Sequence, residues 1–118
     1  MTRIKIFAAC LVMGFLGISC ASQTPASSFG PYSAAETYYA KGNYPKAVEK
    51  YQEYLSGNPQ GVFAATSEYY IGKSQLLSGD ASKARESFER VVTQYPQTSW
   101  ADFAKEQLDA LKAPAKSK

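Results

Sequence analysis

Two stretches of this sequence coincide at a fixed offset of 37 residues. Gly42, Asn43, Lys46, Ala47, Glu49 and Tyr51, closing at Pro59, recur as Gly79, Asp80, Lys83, Ala84, Glu86 and Phe88, closing at Pro96. A period of this size marks units that cannot bury an apolar face alone and must stack on their neighbours. The expected fold class is therefore all-α, a short α-solenoid, and such arrays serve more often as binding scaffolds than as catalysts.

The apolar spacing fills in the helices. Ala34, Ala35, Tyr38 and Tyr39 keep helical register over about 33–41. Gly42 suits a helix end, because glycine accepts the left-handed conformation found there. Asn43 can cap the next helix, and Pro45 fits a first turn where its missing N–H costs nothing. That second helix, to about residue 56, has Ala47, Val48, Tyr51, Tyr54 and Leu55 on one side, and the turn 57–61 breaks it. A third helix is expected over 62–78, ended by Gly79. Asp80 caps a fourth over 81–94, lined by Ala84, Phe88, Val91 and Val92 and stopped by Pro96. A fifth covers 99–111. Shifting the third helix by the period puts Phe63 on Trp100, Ala64 on Ala101 and Ile71 on Leu108, so the fifth begins a further unit and acts as a cap.

The stretches 42–51 and 79–88 resemble the second-helix signature of the tetratricopeptide repeat. A turn glycine precedes a small Ala47 or Ala84, an aromatic Tyr51 or Phe88 follows four residues on, and Pro59 or Pro96 closes the unit. The small residue lets two backbones approach, the aromatic fills the gap beside it, and the proline ends the helix. The resemblance covers about residues 33–111 and implies two helical hairpins plus a C-terminal capping helix. The period exceeds the family's usual value of about 34. Tyr54 and Val91 stand where a small residue is common. Pro31 and Ala34 replace the early bulky residues, which predicts a short first helix with a loosely packed start. Carried over by register, the concave partner-binding groove is Glu36 and Tyr39, then Thr66, Tyr69, Lys73 and Leu76, then Phe103 and Glu106. Gly42, Ala47, Tyr51, Pro59, Gly79, Ala84, Phe88, Pro96 and Trp100 are the structural repeat positions.

The start of the chain reads as an export signal. Arg3 and Lys5 precede an apolar, uncharged run over 6–18, followed by small residues. That run is shorter than the roughly 20 residues needed for a permanent span. Leu16-Gly17-Ile18-Ser19-Cys20 resembles the bacterial lipoprotein signal, which implies acylation of Cys20, an otherwise unpaired cysteine. Ordinary cleavage after Ala21 is the alternative. Ala21 after the lipidated Cys implies sorting to the outer membrane. The organisation expected is a signal over 1–19, a lipidated Cys and flexible tether over 20–32, the repeat domain over 33–112, and a basic tail over 113–118. With the lipoprotein signal, the repeats resemble periplasmic tetratricopeptide proteins of Gram-negative envelopes. Outer-membrane assembly lipoproteins and Tol-Pal-associated coordinators are among them.

Composition narrows the chemistry. The formal charge is +3, but two of the 13 basic residues lie in the signal, leaving near balance against 10 acidic ones. Interspersed charges of that kind give no footprint for nucleic acid. There is no histidine, no nucleophile elbow, no metal-ligand spacing and no phosphate loop, so neither an enzyme nor a cofactor is expected. The nine tyrosines divide between packing and groove positions. The expected function is a protein–protein interaction scaffold in envelope or outer-membrane protein assembly. It binds a periplasmic protein or peptide partner and is held to the membrane by its lipid. The alternative is a structural subunit completed by homo-oligomerisation or by docking into a larger complex; a soluble periplasmic location is the alternative to the anchor.

Overall fold

A computed structural model describes residues 29–112. The signal, Cys20, most of the tether and the tail 113–118 lie outside the described residues. Five helices follow one another: α1 (Gly30–Ala40), α2 (Tyr44–Gly57), α3 (Ala64–Leu77), α4 (Ala81–Gln94) and α5 (Ser99–Lys112). Each packs against the next, and α3 also touches α5. The described residues thus form two antiparallel hairpins and a closing helix, an all-α solenoid as the repeat implies.

The repeat is visible first in its turns. At the end of α1, Gly42 N–H donates to Tyr39 O at 3.0 Å and Asn43 N–H to Tyr38 O at 2.9 Å. At the end of α3, Gly79 N–H donates to Leu76 O at 3.0 Å and Asp80 N–H to Gln75 O at 2.9 Å. Both glycines have positive φ, 77° and 88°, so each turn is a Schellman closure that needs a residue without Cβ. The residue after the glycine then starts the next helix. Asn43 Oδ1 accepts from Lys46 N–H at 3.4 Å, and Asp80 Oδ1 from Lys83 N–H at 3.0 Å. One residue thus closes one helix with its backbone N–H and caps the following one with its side chain, which keeps the hairpins tight.

Packing follows the period. Ala47 and Ala84 are fully buried and bring the paired helices close, while Tyr51 and Phe88 fill the adjoining space. Two cores result. One centres on Tyr32, Ala35, Ala47, Tyr51, Tyr54 and Ile71, the other on Ala84, Phe88, Val91 and Ala104. The large residues at the positions where Ala is common are accommodated by their surroundings. The Tyr54 hydroxyl runs under Gly61, where any Cβ would collide with it, and accepts from Phe63 N–H at 3.2 Å. The Tyr95 hydroxyl donates to Pro59 O at 3.0 Å and so ties the two closing turns, one period apart, to each other.

Three expectations are corrected. α1 starts at Gly30 rather than 33, because Pro31 sits in its first turn, where its ring is compatible with a helix. The start is not loosely packed: Tyr32 is buried, stacks on Phe63 at 4.3 Å and meets Tyr51 and Tyr54 edge-on at 5.8 and 5.7 Å. Tyr32 supplies the bulk that Pro31 and Ala34 lack. α3 starts at Ala64 rather than 62, and Val62 lies out in solvent, 80 % exposed.

Candidate functional site

The inner face is built by α1, α3 and α5, and its floor is aromatic. Tyr39 on α1 meets Tyr70 on α3 edge-on at 5.0 Å. Tyr70 lies beside Tyr69 at 5.6 Å and Trp100 at 5.9 Å. Tyr69 reaches Trp100 at 5.1 Å and Phe103 at 6.3 Å, and Trp100 meets Phe103 at 5.6 Å. A continuous strip of rings therefore crosses three helices that are not neighbours in sequence. The fully buried rings of α2 and α4 support it: Tyr51 stacks on Tyr70 at 6.0 Å and Phe88 lies 5.5 Å from Tyr69. The strip itself is only half-buried, and Phe103 is 47 % exposed.

Polar groups frame the rings. Glu36 is exposed on α1 and close to the hydroxyls of Tyr32 and Tyr51. Glu106 is exposed on α5, beside Tyr69. Lys73 is half-buried on α3. Burial raises the Tyr39 hydroxyl above its ordinary pKa, with Tyr70 and Tyr44 adding to the rise. Burial likewise raises Tyr69, with Tyr70, Glu106 and Tyr39 adding to it. The face therefore presents neutral hydroxyls, which can donate as well as accept.

The structure thus brings Tyr39, Tyr69 and Phe103 together, with Glu36 beside Tyr32 and Tyr51, Glu106 beside Tyr69, and Lys73 one turn beyond Tyr69 on α3. Leu76 belongs partly to the second core, against which it packs. Thr66 is a correction: it is 8 % exposed and offers a partner almost nothing. α3 is flanked by α2 on one side and α4 on the other, so most of its first two turns are covered. Tyr70 and Trp100 belong to the floor, although their sequence positions point to packing. Only their meeting across helices reveals this, and no periodic signal carries it.

A second polar group lies away from this face. The buried Glu68 carboxylate accepts from Arg90 Nε at 2.8 Å, Arg90 donates to Ser87 Oγ at 3.0 Å, and Ser87 donates to Gln75 Oε1 at 2.7 Å. Burial raises Glu68 above the usual carboxylate range, while the Arg90 guanidinium pulls it back. The Glu68–Arg90 pair joins α3 to α4 and is fully engaged in doing so. The hydroxyls of Ser67 and Ser74 are buried without partners.

The inner face can therefore hold an extended or helical segment by ring contact and hydrogen bonds. The tetratricopeptide repeat model matches residues 32–60 and 66–98, more than half of the 118-residue chain. None of the curated proteins matches it. The repeat is typically a non-enzymatic module that binds protein partners. The two matched segments correspond to the two hairpins whose turns, small-residue contacts and buried aromatics recur 37 residues apart, and the chain belongs to the tetratricopeptide repeat family.

Proposed function

We propose that this protein is an outer-membrane-anchored periplasmic scaffold that holds a protein partner in cell-envelope or outer-membrane protein assembly. The half-exposed aromatic strip across α1, α3 and α5 is the observation that carries the binding role. Rings of this kind give large contact area at low entropy cost. The anchoring role is supported by the sequence of residues 16–20, with Cys20 as the acylated residue, and by the Pro- and Ser-containing stretch that follows. The lipid localises the scaffold and the tether gives it reach.

The surface of α5 favours this reading over docking through the end of the array. Its exposed side carries Asp102 with Lys105 at 3.4 Å and Asp109 with Lys112 at 3.7 Å. A polar outer face is what a terminal helix of a solenoid needs.

Crosslinking in cells tests the binding role. A photoreactive residue at Phe103 should capture a partner, and one at Glu53 on α2 should not. Capture from Glu53 alone would assign the partner to the opposite surface. Palmitate labelling should disappear in Cys20→Ser; labelling that persists would remove the anchor from the proposal.

A further inference from the structure

On the inner face, carboxylates without an ion-pair partner stand beside aromatic rings. Along α2, α4 and α5 most acidic residues are neutralised locally: Glu49 by Lys46, Glu53 by Lys50, Asp80 by Lys83, Asp102 by Lys105 and Asp109 by Lys112. Glu68 is taken by Arg90. Among the described residues this leaves Glu36, Glu86, Glu89 and Glu106 without a cation within ion-pair distance. Glu86 and Glu89 are on α4, exposed to solvent. Glu36 on α1 stands beside the Tyr32 and Tyr51 hydroxyls, and Glu106 on α5 beside Tyr69, so the two carboxylates lie on the outer two of the three helices that carry the strip.

We infer that the inner face selects a partner segment whose basic side chains alternate with apolar ones, the bases seated against the rings with Glu36 and Glu106 as their counter-charges. This rests on the inner face being the binding surface. Two features argue for a cation rather than an anion. Tyrosine and tryptophan rings attract guanidinium and ammonium groups through their quadrupoles. An unpaired carboxylate beside such a ring adds Coulomb attraction for the same group and repels an acidic one. Lys73 lies on α3 one turn beyond Tyr69, between the helices that carry the two carboxylates. It repels the bases of such a segment, so removing its charge should strengthen binding.

Trp100 is the chain's only tryptophan and sits in the strip, so its fluorescence reads occupancy directly. The test titrates the full chain, in mild detergent, with capped ten-residue peptides alternating leucine with arginine, glutamine or glutamate. The arginine peptide should shift Trp100 emission saturably, bind tightest of the three, and weaken as salt is raised. Glu36→Gln with Glu106→Gln should weaken it about fivefold, the combined effect of losing two exposed charge pairs. Lys73→Gln should strengthen it about twofold, a gain that damage to the fold would not produce. Equal or tighter binding of the glutamine or glutamate peptide overturns the inference while leaving the face a binding surface. No binding by any of the three also overturns it, and the binding role then stands or falls on the Phe103 crosslink.

Discussion

Replacing Gly72 by alanine puts a methyl group where the ring of Phe88 already lies. A Cβ at Gly72 would stand 2.7 Å from Phe88 Cε1, 2.9 Å from Cδ1 and 3.0 Å from Cζ. The ring is fully buried at the centre of the second core and has no room to withdraw. Overpacking of this kind costs about 1–3 kcal/mol. Alanine in a helix interior returns about 0.5–1 kcal/mol relative to glycine, so the net loss should be about 1 kcal/mol. In a domain of this size that lowers Tm by about 4–8 °C. Gly57, the last residue of α2, provides the control, because a Cβ there meets nothing within 4 Å. Gly57→Ala should hold or raise Tm by a few degrees through propensity alone, by roughly 0.5 kcal/mol. Thermal unfolding followed by circular dichroism at 222 nm compares the two. A Gly72→Ala protein as stable as the parent would show that the missing Cβ is not what lets Phe88 approach α3, and the reasoning would fail.

Other substitutions test other joints. Asp80→Ala should cost about 1 kcal/mol by thermal melt, and Asn43→Ala less, since its capping bond is longer, 3.4 Å against 3.0 Å; a reversed order would separate capping from bond length here. Trp100→Ala should cost about 2 kcal/mol, below the range for a fully buried tryptophan, because the ring is half-buried; an unchanged melt would mean that α5 does not cap the array through this ring. Glu68 has a raised pKa, mainly from burial, so its contribution to stability is complete below the unfolded value and declines as pH rises through the folded one. Glu68→Gln, which keeps an acceptor for Arg90 but not the charge, should therefore gain on the parent as pH rises to 7. The two urea curves should converge near about pH 4, and a clearly less stable Gln variant at pH 7 would contradict this.

What the sequence made legible is what repeats. Gly42 and Gly79, Asn43 and Asp80, Ala47 and Ala84, and Tyr51 and Phe88 each occur twice, and two copies of one local environment reinforce each other. The hydrogen bonds of the two turns agree residue for residue. Features that occur once were hidden. Gly72 looks like an ordinary glycine in a helix, and only the position of Phe88 explains it. Glu68 and Arg90 are 22 residues apart, and the positions one period away hold Lys105 and Glu53, each opposite in charge, so the pair does not recur. Tyr32 was obscured by Pro31, which reads as a helix breaker in isolation and as a first-turn residue once the helix is present. Thr66 was placed correctly on α3 but on a covered part of it. Register gives the direction of a side chain, whereas exposure depends on what the neighbouring helices cover.

The aromatic strip joins three helices as well as carrying the proposed binding role, and that decides which of its residues can probe the role. Adjacent helices in a solenoid are held by their own interfaces, but α1, α3 and α5 meet mainly through these rings. Tyr69 shows the difficulty. One side of its ring lies against Phe88 in the core, and it also contacts Trp100 and Phe103 at the surface. Removing it would lower affinity and stability together, and lost binding would not distinguish the two. Glu36 and Glu106 are exposed and outside the ring contacts, so conservative changes there report on recognition with little effect on the fold. The converse also follows. A segment bound across the strip would contact rings from three helices simultaneously and would add to the cohesion of the array. Binding should therefore raise Tm, and less so in Trp100→Ala, whose face has lost one of the rings the segment contacts and so binds it more weakly.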